Sequence, residues 1–250
     1  MTIYLINIFL IMLSGALFLY GVPERRNKKL FCILASSQWV LLSGLRHISI
    51  GPDTYSYKIH SFDVRMYQTW KELWRNFIDV LFRGAVGNDP GYYLFEKFVQ
   101  IFTTNYQVYL IIIALIFTVP LGIWIYRNSS EPVISFLIYS TVFYSITLTA
   151  IRQTIATTLV VFLGYEFIKK RRFLPFLLLT LITFTIHKSS IFFFPFYFLA
   201  NKKITKKYLF CMLACIPIMF VWGNKLLLPF AKFMKYENYL VYYEGANAWT

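Results

Sequence analysis

Three short polar stretches interrupt an otherwise apolar chain, and they hold the side chains best suited to chemistry. Arg152 and Gln153 lie in Thr149-Ala150-Ile151-Arg152-Gln153-Thr154-Ile155-Ala156, at the junction of two apolar runs. Arg46 and His47 precede the turn Gly51-Pro52-Asp53-Thr54-Tyr55, and His187 opens His187-Lys188-Ser189-Ser190. A guanidinium is a fixed fork that matches two phosphate oxygens, and Gln153 adds a neutral donor beside it. A charge at membrane depth marks a functional site by default, although an arginine at a boundary can also simply anchor its span at the headgroups. His187 can accept a proton near neutral pH, or stand as a hydrogen-bonded interfacial residue. Asp53 is a second candidate base close to Arg46 and His47, or a turn and helix-cap residue.

Composition sets the frame for these residues. Over 250 residues, 58% are hydrophobic and 20% aromatic, and the mean hydropathy is +0.57, more than a soluble core needs. The chain reads as an all-α, polytopic transmembrane helical bundle forming a single domain over 1–250. Apolar stretches at roughly 2–22, 30–45, 106–126, 132–151, 153–168, 173–186, 190–200 and 208–222 give about eight spans. If helices continue across the junctions, Ser145, Thr149 and Arg152 share one stripe and Gln153, Thr157 and Gly164 another, while Thr180 and Thr183 lead down to His187. Such stripes are also ordinary helix-packing surfaces.

Basic residues set the orientation. Arg25, Arg26, Lys28 and Lys29; Arg127; Lys169, Lys170, Arg171 and Arg172; and Lys202, Lys203, Lys206 and Lys207 crowd four short connectors, which together hold just over half of the 25 Lys and Arg. Short cytoplasmic loops collect such charge, so the N-terminus is expected outside. No positive region precedes Ile3, so the first run reads as an anchor rather than a cleaved leader. The loop of about 46–105, the Arg152 and His187 junctions and the segment of about 223–250 then share the outer face. The net charge of +14 is accounted for by this inner-face bias and by anionic membrane lipid, with no nucleic-acid partner. Cys32, Cys211 and Cys215 fall in apolar runs and read as small core hydrophobes.

Within the outer loop, apolar residues at 70, 73, 74, 77 and 78 mark one face of a helix, whose tryptophans suit a membrane interface. Gly84 to Pro90 is turn-rich, and 91–100 reads as a second surface helix. Walker A, dinucleotide-binding, zinc-protease and nucleophile-elbow motifs are all missing from the sequence. Chemistry on the outer face therefore needs a substrate that arrives already activated, and a lipid diphosphate is such a carrier.

Arg46 with Gly51-Pro52-Asp53-Thr54 and Tyr57, Gly91-Tyr92-Tyr93-Leu94 with Glu96, Arg152-Gln153-x-x-Ala156 and His187-x-Ser189 follow in order over roughly 30–200. In this the chain resembles the EpsG family of bacterial exopolysaccharide and capsule proteins, which are Wzy-like polysaccharide polymerases. Members of that family usually continue through further spans, so the resemblance implies a C-terminal truncation. It also implies a multi-pass protein of the bacterial cytoplasmic membrane that joins undecaprenyl-diphosphate-linked oligosaccharide units on the outer face. His187, Asp53 and Arg152 would be catalytic, and Arg46, Gln153, Tyr57 and Glu96 would bind substrate, with no metal and no other cofactor. The resemblance also implies membrane lipids and other polysaccharide assembly proteins as partners. Rival readings are a flippase or carrier for lipid-linked oligosaccharide, a membrane acyltransferase using His187, and a non-catalytic member of an assembly complex.

Overall fold

A computed structural model of the chain describes residues 2–21, 26–51, 53–87, 89–200 and 202–233, and every regular element among them is helical. The chain divides into two compact units, Met1–Tyr197 and Phe198–Thr250. In the first, α1 (Thr2–Gly15) runs on through a π-helical turn to Tyr20, and α2 (Lys28–Gly44) starts where the Asn27 side chain accepts a hydrogen bond from the Leu30 amide. α3 (Thr54–Tyr57), a π-helical turn and α4 (Asp63–Tyr67) lead to α5 (Trp70–Phe82) and α6 (Pro90–Gln100). α7 (Tyr106–Asn128) is followed by α8 (Pro132–Ile138), which passes through a π-helical turn into α9 (Tyr144–Thr149). α10 (Ile151–Thr158) passes through another into α11 (Gly164–Lys169), and α12 (Phe173–Ile186) leads into a 3₁₀ turn over Lys188–Phe193 and the short α13 (Phe196–Leu199). The second unit holds α14 (Lys206–Phe233). Most of the expected outer C-terminal segment, 234–250, lies outside the described residues.

Among the described residues, four helices are long and apolar enough to cross a bilayer: Thr2–Tyr20, Tyr106–Asn128, Pro132–Thr149 and Ile151–Lys169. The expected eight spans are not reached among the described residues. α2 has 17 residues and α12 has 14, short of the roughly 20 a bilayer needs. The seventh expected run, 190–200, is broken into a 3₁₀ turn and a four-residue helix, because Pro195 cannot donate within a helix. Apolar side chains along α1, among them Leu5 and Phe9, stay exposed, as suits a surface facing hydrocarbon rather than water. Cys211 and Cys215 are exposed on α14, so only Cys32 fits the reading as a buried core thiol.

The core is aromatic. Trp39, Phe31, Phe136, Phe117, Tyr92, Tyr109 and Phe62 are fully enclosed, and Trp39 lies 3.9 Å from Tyr144 between ring centroids and edge-on to Tyr139. At one end of the bundle Tyr20 donates to Glu131 and Lys28 to the Ser129 carbonyl. At the other end the three polar junctions meet, through contacts described below.

The expected surface helix at 91–100 is instead packed on one face. Tyr92, Glu96 and Val99 of α6 are buried, and α6 lies against α4, α5 and α12. α5 is stapled at its start by a capping box between Thr69 and Glu72; it buries Leu73 and leaves Trp74 half exposed. Where α6 crosses α12 a side chain does not fit: a Cβ on Gly91 would lie 2.1 Å from Thr185 Oγ1 and 2.8 Å from the Thr185 carbonyl carbon. Gly91→Ala should therefore push the two helices apart at a cost of about 1–3 kcal/mol, read as a loss of several degrees in thermal midpoint in detergent. Adding Thr185→Ala should restore only part of that loss, because the backbone contact remains.

Candidate functional site

The residue that assembles the site is Asp89. It adopts the left-handed conformation, φ 49°, which aspartate tolerates better than most residues, and it immediately precedes Pro90, which starts α6. Its side chain does not cap that helix. Instead one carboxylate oxygen accepts from Arg152 Nη1 at 3.1 Å and from His187 Nδ1 at 3.3 Å, while the other accepts from the Lys188 amide at 3.3 Å. Only 5% of Asp89 is exposed, so three donors stand in for the water it lost.

Arg152 is placed by a break in the chain. Ala150, at φ −88° and ψ 65°, ends α9 and begins α10, so the stripe expected through Ser145, Thr149 and Arg152 does not run continuously. The end of α9 is closed from outside: the Leu148 carbonyl accepts from Arg46 Nη2 at 3.5 Å and from Thr54 Oγ1 at 3.4 Å, which satisfies one of the acceptors that a helix end leaves open. Gly51, at φ +92°, passes close enough that a Cβ would sit 2.8 Å from that carbonyl oxygen. Arg152 then reaches Tyr57, donating from Nε to its hydroxyl at 3.3 Å with the guanidinium carbon 5.2 Å from the ring centroid. The Tyr92 ring lies at 5.7 Å.

His187 ends α12 in an extended conformation. Since Asp89 only accepts, Nδ1 carries the proton and Nε2 is the basic nitrogen of the neutral ring. Thr180 and Thr183 do not prolong a polar path toward it. Both are buried, and their hydroxyls bond the carbonyls of Phe176 and Thr180 in their own helix. Lys188, 8% exposed, donates from Nζ to the Gly87 carbonyl at 3.2 Å and fixes the loop before Asp89.

The remaining expected site residues lie outside this cluster. Arg46, 3% exposed, directs Nη1 to the Ser43 carbonyl and hydroxyl at 2.7 and 3.0 Å. Asp53 is exposed at the start of α3; no side-chain hydrogen bond holds it among the described residues, and Pro52 before it lies outside them. Gln153 is exposed and lines an apolar groove beside α10. Glu96 is fully buried and accepts from Ser61 Oγ at 2.6 Å, with Arg65 Nε at 4.0 Å. Burial raises its pKa from the ordinary 4.5 to about 7, although the Ser61 hydrogen bond pulls the other way. Asp89, Lys188 and Tyr92 are the site residues not anticipated as such. The usable signal was Asp89-Pro90-Gly91-Tyr92, an aspartate at a proline-started helix two residues upstream of a motif already singled out.

The family model that matches the chain is the EpsG family, over residues 28–248. The chain belongs to the EpsG family. No curated protein and no solved structure matches it. Membership and the apolar helices make it a membrane protein of a family associated with exopolysaccharide polymerisation. In this EpsG-family chain the segment from Thr54 to Tyr67 is laced to α6, with Lys97 and Gln100 donating to the carbonyls of Arg65 and Phe62, and Glu96 sits behind that lacing. A carboxyl whose folded-state pKa is raised favours the fold fully below pH 4.5, and that stability is lost as pH rises through about 7. Wild-type thermal stability should therefore rise between pH 7.5 and 5, and Glu96→Gln should flatten the rise; a wild-type slope in the variant assigns it to other groups.

Proposed function

We propose that the protein is a polysaccharide polymerase that joins undecaprenyl-diphosphate-linked oligosaccharide units on the outer face of the cytoplasmic membrane. The observation that carries this reading is the single carboxylate of Asp89 shared between Arg152 and His187. A base and a cation held by one group suit a reaction that removes a proton on one side and expels a diphosphate on the other.

In this mechanism a hydroxyl of one lipid-linked unit attacks the anomeric carbon of the growing chain. The new carbon–oxygen bond forms as the bond from the anomeric carbon to the lipid diphosphate breaks, and the diphosphate leaves with the electron pair. His187 Nε2 takes the hydroxyl proton, while Asp89 holds the ring and steadies the imidazolium that results. Arg152, held by Tyr57 and Asp89, faces the charge that grows on the leaving diphosphate. Arg46 acts from a distance by fixing the end of α9, Gln153 serves the lipid-facing side, and Glu96 supports α6. Asp53 takes no part in proton transfer.

Asp89→Asn and His187→Ala should each cut polymer formation by about 10²–10⁴-fold, the range for losing a positioned base, at near-normal membrane abundance. Arg152→Lys should lose most activity, because an ammonium keeps the charge without the fork. The readout is gel analysis of surface and lipid-linked glycan: long chains give way to single repeat units exposed outside, whereas units held on the cytoplasmic leaflet would point to a flippase. Normal chains in Asp89→Asn with loss in Asp53→Asn would move the base to Asp53.

The orientation has its own test. In a cysteine-free background, Val86→Cys should react with an impermeant thiol reagent in intact cells and Ser130→Cys should not, both positions being exposed. Ser61, buried against Glu96, is unsuited to that experiment. The reverse labelling pattern would put the site inside the cell and sink the proposed reaction.

A further inference from the structure

Beside α10 lies a groove of about 740 Å³, within the range of ligand sites. It is walled by α7, by α8 and α9 with the π-helical turn between them, by α10 with the turn that follows it, and by the 3₁₀ turn after His187. Both π-helical turns contribute to it, through Tyr139 and Phe143 on one side and Phe162 on the other. Such turns recur where helices serve a function rather than packing alone. The walls are mainly apolar and aromatic, with Trp124 and Phe192 completing them, and Gln153 stands at one end.

That end is where the Arg152 cluster lies. Gln153 follows Arg152 directly, and Ser189, also on the lining, follows Lys188. Arg152 pairs there with the Asp89 carboxylate and keeps 26% of its side chain accessible, so this end presents guanidinium donors, and the groove beyond it along α10 is apolar. A molecule that complements it has an anionic head and one apolar tail. A bilayer phospholipid brings two acyl chains to a site with a single groove. A polyprenyl chain is single, and its methyl branches and double bonds make close dispersion contacts with aromatic walls. We infer that this groove holds the isoprenoid tail of the lipid-diphosphate substrate and sets the diphosphate at Arg152. The inference rests on the polymerase reading for its choice of lipid and extends that reading to the part of the substrate that does not react.

The test is photolabelling of the full chain in nanodiscs with two probes, a diazirine-bearing polyprenyl phosphate and a diazirine-bearing phosphatidylglycerol. The polyprenyl probe should crosslink to peptides of α10 and of the Tyr139–Phe143 turn, and unlabelled polyprenyl phosphate should displace it. Thr157→Trp, which fills the groove, should reduce that labelling about tenfold. Ile138→Trp, on a lining side chain that is 50% exposed and so easily accommodated, should reduce it as well if the first variant folds poorly. Crosslinks confined to other helices, or equal labelling of the groove by phosphatidylglycerol, would overturn the inference. Groove labelling in a protein that makes no polymer supports the groove and counts against the polymerase. Normal polymer with groove labelling lost counts against the groove alone.

Discussion

A carboxylate taken out of water must be matched or it will not stay ionised, and the end of the bundle that carries the polar junctions is arranged around that demand at Asp89. Its three donors come from two places far apart in sequence: Arg152 at the start of α10, and His187 with Lys188 past the end of α12. Because the pairing is geometric as well as electrostatic, it fixes where α10 begins and where α12 stops. The close crossing of α6 and α12 at Gly91 and the clamp on the Leu148 carbonyl hold the two sides of the pairing at the right separation. Truncating Asp89 would leave a guanidinium and an imidazole facing each other without the charge between them.

A cluster of this kind has a defined chemical reach. The carboxylate orders the imidazole by accepting from Nδ1, and the same oxygen takes one donor of the guanidinium. The aromatic rings of Tyr57 and Tyr92 close over the cation, which keeps its plane in place while leaving a quarter of the side chain accessible. Arrangement of the donors before substrate arrives is what allows charge developing on a leaving group to be met without reorganisation.

The helices were legible where an apolar run was long and uninterrupted, as in 106–126, and α5 was legible from its spacing of apolar residues. The seventh run was not, because mean hydropathy is blind to what Pro195 does to a helix. Arg152 and His187 could be picked out, since a cation or an imidazole at a membrane boundary is conspicuous in a sequence so poor in charge. Asp89 was harder to see, for its partners lie 63 and 98 residues away, and its own neighbourhood, an aspartate before a proline-started helix, marks a turn without saying what the carboxylate pairs with. Arg46 shows the converse. Its residue type and position suggested a phosphate ligand, whereas Nη1 is taken by the Ser43 carbonyl and hydroxyl and Nη2 by the Leu148 carbonyl, a circumstance that only the folded chain reveals.

The shortness of α12 also bears on the lipid around it. An apolar helix of 14 residues is about 21 Å long at ~1.5 Å per residue, well below a hydrocarbon thickness of about 30 Å. Were α12 to cross the bilayer, lipid beside it would have to thin locally, or water and headgroups to dip to meet its ends. Since His187 and Lys188 stand at one of those ends, such a depression would bring the interface down to the polar cluster, so that a lipid-borne headgroup would meet it without leaving its leaflet. Bilayer thickness would then be a variable of the site itself: a membrane enriched in longer chains would stretch the mismatch and draw the interface away from the cluster.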